Sequence, residues 1–358
     1  MRCALALALA VWAGPLAAQD GVACLQNQLA ALGHYPGPAD GTMRPSVRAA
    51  AAQVDQVPGL PDLRRRTATS WCREIGRTNP DMRAFWPSEQ DPLILTEAPA
   101  DADLLRATLD RVRAYFRDSH DIELATAVAV IGSADPATFD PAIARVNAAQ
   151  QRPGRAKPVD TTRFCPERGV GGAANRAYVM FCWSDTIAQG GWSPEDTARL
   201  AKVMAHEYTH QVQYALAADD PAQKVDGAWA LGPHWMVEGV AELVEWQFDS
   251  DRILADGPAL FDLQTAARRS RLTLDQLSAH GTVRDSEAYG VARFAAYLLA
   301  QRHGMAALFD YFRALGRGMD QAQAFQATFD QSPAAYAALF ETLRRDYGAA
   351  RRFGREDR

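Results

Sequence analysis

The chain has 358 residues, 48% of them hydrophobic and 23% charged, with a formal net charge of −5. That length bounds it to one large domain or two unequal ones, either with enough apolar residues for a sizeable core. Basic residues are largely dispersed, apart from short clusters such as Arg64 to Arg66 and the tail at Arg351, Arg352, Arg355 and Arg358, which argues against a nucleic-acid footprint.

The first 18 residues, MRCALALALAVWAGPLAA, place Arg2 before an apolar run from Cys3 to Trp12 and end in small residues. This pattern predicts a signal peptide cleaved after Ala18, hence an exported protein, periplasmic or secreted. No second apolar run of about 20 residues follows, so no membrane span is expected after cleavage. Loss of the leader leaves Cys24, Cys72, Cys165 and Cys182, an even number in an oxidising compartment, and two disulfides are expected. Of the three connectivities, Cys24 with Cys72 and Cys165 with Cys182 are favoured, because each pair staples one segment. The absence of CxxC spacing argues against a metal–thiolate site.

Residues 19–56 read as a small helical module. Leu25, Leu29 and Leu32 share one helical face, the stretch GHYPGPADG makes a turn, and a second helix is predicted from Ser46 to Val54. The segment CLQNQLAALGHYPGPADGTMRPSVRAAAAQV resembles the three-helix peptidoglycan-binding module of bacterial cell-wall proteins in its LQ start, its LGxYxGxxDG turn and its following AA helix. It departs from that pattern at Thr42, Met43 and Arg44, where Phe-Gly-Pro would stand. The resemblance implies peptidoglycan binding through residues 22–56; from the residues alone, a helical prosegment or spacer fits as well.

Six prolines between Pro58 and Pro99 mark residues 57–100 as a linker or wrapping segment. Residues 101–358 form the second domain. It opens with an amphipathic helix from Asp103 to Arg117, an apolar strand from Leu124 to Ile131 and a loop-rich region around Cys165; a strand follows from Tyr178 to Trp183. Helices are then predicted over 194–217, 233–248, 258–269, 286–302, 304–315 and 333–350. Strands first and helices afterwards give an α+β fold class: a short mixed sheet followed by a mainly helical C-terminal half.

The stretch SPEDTARLAKVMAHEYTHQVQYALA offers Ser193 as N-cap, Pro194 at the first helical position and Asp196 to close a capping box. On that helix His206 and His210, four residues apart, lie within about 40° of each other, so both imidazoles can hold one ion. HExxH is the arrangement in which the two His bind zinc and the Glu, here Glu207, takes a proton from the water the metal activates. Catalytic zinc commonly takes three protein ligands and keeps one position open. The helix HWMVEGVAELVEW, with Glu238, Glu242 and Glu245, lies downstream; Glu238 sits among Trp235, Met236, Val237 and Val240, where an unpartnered carboxylate is costly, and supplies the third ligand. Glu242, one turn on, is expected to accept the second N–H of a ligating His.

HEYTH followed by WMVEGVAE resembles the gluzincin clan of metallopeptidases, close to its aminopeptidase N branch and compact bacterial relatives. The resemblance covers about residues 165 to 345. It implies a zincin-type catalytic domain, one zinc ion and a peptide or protein substrate. EAYGVARFAAYLLAQRHG loosely matches the later helix of those relatives and implies that Tyr289 steadies the oxyanion. GGAANRAYVMFC stands where the aminopeptidases carry GAMEN before the edge strand; Ala174 takes the place of the glutamate that grips a free amino terminus, which implies endopeptidase action. Two readings of other kinds stay open: a noncatalytic cell-wall adaptor with a structural metal, and an amidase acting on peptidoglycan stem peptides.

Overall fold

The computed structural model describes residues 22–23, 25–27, 29–30, 37, 39–54, 92–124, 128–149, 159–175, 177–217, 231–248 and 257–354. The expected signal peptide, Cys24, Cys72 and most of the proline-dense segment lie outside them. The described residues are mostly helical, with one small mixed sheet. Among the described residues no helix is long and apolar enough to cross a membrane.

Near the N-terminus, helix α1 (Pro45–Val54) follows a turn held by one amide. Gln26, which is fully buried, donates from Nε2 to Asp40 Oδ1 (3.1 Å) and the Thr42 carbonyl (2.9 Å), and its Oε1 accepts from the Gly41 N–H (2.8 Å). Arg44 pairs with Asp40.

The sheet has the order β1 (Ile94–Leu95), β2 (Ala129–Ser133), β4 (Tyr178–Trp183), β3 (Val170–Ala174). β1 and β4 run parallel to β2, and β3 lies antiparallel to β4, with Gly172 opposite Phe181. β2 and β4 are buried throughout, which explains their unbroken apolar sequences, AVIGS and YVMFCW. Alternate side chains go to opposite faces. Val130, Val179, Phe181 and Trp183 enter the main core; Ala129, Ile131, Tyr178, Met180 and Cys182 meet Phe139, Ile143 and Val146 in a second one.

Those last three residues belong to α3 (Phe139–Ala149), a helix that sequence periodicity left inside the loop-rich region. The opposite face is covered by α2 (Pro99–His120), which buries Leu105, Leu109, Val112 and Phe116 at helical spacing and stops on Asp121 in the left-handed conformation, φ 52°. The end of the proline-dense segment is therefore structural, since it supplies β1 and the start of α2. Of the strand expected from Leu124, residues 125–127 lie outside the described residues, and β2 takes up Ala129 to Ile131. A disulfide joins Cys165 to Cys182, tying the segment before β3 to β4 with Cα atoms 4.9 Å apart.

After the short α4 (Asp185–Gly190) come α5 (Pro194–Ala217), α6 (His234–Gln247), α7 (Gly257–Arg269), α8 (Ser286–His303), α9 (Met305–Gly316), α10 (Gln321–Phe329), α11 (Pro333–Leu343) and α12 (Tyr347–Phe353). The single helix expected over 333–350 is two, because Asp346 accepts from the Ala349 N–H (3.0 Å) and starts a new helix. α10 escaped sequence reading although Asp320 and Gln323 form a full capping box, because it spans only nine residues. α8 is buried nearly all round and packs most extensively on α6, which in turn crosses α5. This three-helix contact, with β3 on the outer side of α5, brings the titratable residues together.

Candidate metal centre

α5 begins as its sequence predicts: Ser193 Oγ accepts from the Asp196 N–H (3.1 Å) and the Ser193 N–H reaches back to Asp196 Oδ2 (3.3 Å). Four turns on, His206 and Glu207 are buried and His210 is half-buried. The His206 and His210 rings lie 5.0 Å apart at 77°. Glu238 on α6 faces both, its Oε2 3.4 Å from His206 Nε2 and 3.6 Å from His210 Nε2. These separations exceed an ordinary N–H···O bond. Two atoms each bound at 2.0–2.1 Å to one tetrahedral ion stand about 3.4 Å apart. The three donor atoms, all within 4.8 Å of one another, have the chemistry and spacing that fit a zinc ion.

The outer atom of each donor side chain is tied off. His206 Nδ1 lies 3.1 Å from Glu245 Oε2. His210 Nδ1 lies 2.9 Å from Gln213 Oε1, and Gln213 Nε2 donates to the Val237 carbonyl (2.8 Å), so the amide presents its oxygen to the imidazole and His210 carries its proton on Nδ1. Glu238 Oε1 meets His234 Nε2 at 3.2 Å, while His234 Nδ1 accepts from the Val283 N–H at 3.0 Å. Both imidazoles therefore turn Nε2 inward, and Glu238 turns Oε2 inward.

Glu245 occupies the position expected for Glu242. Glu242 Oε1 stays 3.9 Å from His206 Nδ1, beyond hydrogen-bond reach, while its other oxygen lies 3.4 Å from Arg293 on α8, which draws the carboxylate aside. Gln213, Glu245 and His234 were the residues that sequence reading missed or left without a role. Helical spacing carries the signal for two of them: Gln213 is three residues after His210 and His234 four before Glu238.

Charge follows from this crowding. Burial works against a charged His206, but the adjacent carboxylates of Glu238 and Glu245 outweigh it and hold its pKa well above the usual range. Burial also pushes the Glu207 carboxyl up, opposed by the two imidazoles. Tyr289, on the first turn of α8, has its ring 6.3 Å from that of His206; burial and then Glu238 and Glu207 raise its pKa, so it stays a neutral phenol donor. Four carboxylates, Glu207, Glu238, Glu242 and Glu245, thus share a largely buried site with two imidazoles, and the guanidiniums of Arg199 and Arg293 act on Glu245.

β3 backs this site. A Cβ built on Gly172 would lie 2.7 Å from Glu207 Cγ, 2.9 Å from its Oε1 and 2.8 Å from Val203 Cγ1. Only glycine lets the strand approach the carboxylate so closely. Gly172→Ala is therefore expected to displace Glu207 and Val203 or to part β3 from α5, destabilising the fold by about 1–3 kcal/mol, read as a lower melting temperature. The strand is fixed by its hairpin: Asn175 Oδ1 accepts from the Ala177 (2.7 Å) and Tyr178 (3.2 Å) N–H groups, and Gln211, next to His210, donates to the Asn175 carbonyl. Among the described residues no strand pairs with the outer edge of β3, whose last four residues, Ala174 included, are half-buried. The chain matches no protein-family model, no curated protein and no solved structure.

Proposed function

We propose that the chain is an exported zinc metallopeptidase, an endopeptidase of the zincin type, with His206, His210 and Glu238 as ligands. The observation that carries this reading is the convergence of Nε2, Nε2 and Oε2 at ligand–ligand spacing, with every outer atom held by another partner. Glu207 adds a buried carboxylate beside the ligands that a purely structural metal does not need. When bound, zinc supplies Lewis-acid polarisation of water and of the scissile carbonyl.

Glu207 accepts the proton of the attacking water and returns it to the departing amine. Tyr289 donates its phenolic O–H to the oxyanion, a task its raised pKa suits. Among the described residues no strand covers the outer edge of β3, which takes an extended peptide as a further strand, and Ala174 places no carboxylate there for a free amino terminus. Residues 22–56 are proposed to hold peptidoglycan, with the Gln26, Asp40 and Thr42 network shaping the turn. The full zinc-loaded chain, incubated with denatured protein and separately with purified sacculi, tests the substrate by mass-spectrometric product mapping. Internal cleavage of the protein is expected; products from sacculi alone would favour the stem-peptide amidase, and no products from either would overturn the enzyme reading.

A further inference from the structure

The N-terminus of α6 is clasped by residues 277–283. The Ser278 carbonyl accepts from the His234 N–H and the Leu277 carbonyl from the Trp235 N–H, both at 2.9 Å, satisfying two donors that a helix start leaves without intrahelical partners. The same segment returns the Val283 N–H to His234 Nδ1 at 3.0 Å and lays the His280 ring 5.4 Å from the His234 ring. A ring nitrogen that accepts from a backbone amide carries no proton, so the neutral imidazole bears its hydrogen on Nε2. That hydrogen points at Glu238 Oε1, 3.2 Å away. Three residues past Val283 begins α8, where Asp285 accepts from the Ala288 N–H (2.9 Å) and so sets the turn that carries Tyr289.

We propose that His234 is a positioning residue for the metal: it engages Glu238 Oε1 so that the carboxylate ligates through Oε2 alone, and it couples the ligand to the 277–283 segment. The proposal rests on the zinc reading of His206, His210 and Glu238. A carboxylate with both oxygens free swings between one- and two-oxygen coordination; a donor fixed from behind removes that choice and keeps a position open for substrate. Its Nδ1 contact matters equally, since the Val283 N–H selects the tautomer that can donate.

The experiment compares wild type, His234→Leu and His234→Gln, the last keeping an N–H donor at similar reach. Zinc affinity is read by chelator competition, coordination by the visible spectrum of the cobalt-loaded protein, and folding by the melting temperature of the metal-free chain. His234→Leu is expected to bind zinc about 10–100-fold more weakly, with a cobalt spectrum weakened by a higher coordination number, while His234→Gln stays near wild type in both. Should the leucine variant not fold, His234→Phe keeps a ring against His280 without a donor and carries the same expectation. Unchanged zinc affinity and cobalt spectrum in the donor-less variant overturns the proposal, as does a glutamine variant equally impaired. A wild type that binds no zinc is a different result: it overturns the metal-site reading itself, and this inference with it.

Discussion

Glu207→Gln is expected to cut peptide hydrolysis by about 10³–10⁴-fold while the protein still binds one zinc. The side chain is buried beside both ligand imidazoles and against Gly172, and burial pushes its carboxyl above the ordinary range, so it suits a group that takes up and returns a proton. Glutamine fills the same volume and removes only the basicity. The paired readout matters, because lost activity with lost metal would indicate collapse of the site, and retained activity with retained metal would remove Glu207 from the chemistry. Peptide turnover and metal content on the same preparation separate these outcomes.

Gly239→Ala is expected to destabilise the fold by about 1–3 kcal/mol or more, seen as a lower melting temperature. Gly239 follows Glu238 on α6, at the crossing with α8, and a Cβ there would run into the Ala292 carbonyl oxygen. Backbone cannot rotate away as a side chain can, so the two helices must part. Glu238 and Tyr289 come one from each of the two crossing helices, and zinc binding should weaken as they part. Gly290→Ala on the same α8 is the control: its Cβ would meet only the Ala266 Cβ at an ordinary 3.7 Å. Relief of the glycine helix penalty predicts a gain of up to about 1 kcal/mol there. Opposite signs for two glycine-to-alanine changes would trace the effect to the helix crossing rather than to propensity.

Much of the site was legible because it is helical. HEYTH fixes one face of α5 by spacing alone, and the apolar neighbours of Glu238 marked it as a carboxylate needing a partner. The start of α5 followed from Ser193 and Asp196, and β4 from YVMFCW, whose unbroken apolar run reflects burial on both faces. What stayed illegible depends on how elements cross. Glu242 and Glu245 are equivalent by composition; Arg293, from a helix distant in sequence, draws Glu242 aside and leaves Glu245 on His206. His234 gains its meaning only when Val283 donates to it, across 49 residues. Gly172 shows its role only once the strand is seen against Glu207. Short elements escaped for a simpler reason: α3 and α10 span too few residues for periodicity to separate them from loops.

Three side chains from α5 and α6 are proposed to hold one zinc. Metal stoichiometry of the intact protein, measured by native mass spectrometry after zinc loading and buffer exchange, tests this proposal most directly when wild type is compared with Glu238→Ala. One zinc per wild-type chain and retention reduced by at least about 10-fold in the variant is the predicted result, since loss of one of three ligands opens the site. Equal zinc in both proteins, or none in wild type, would contradict it.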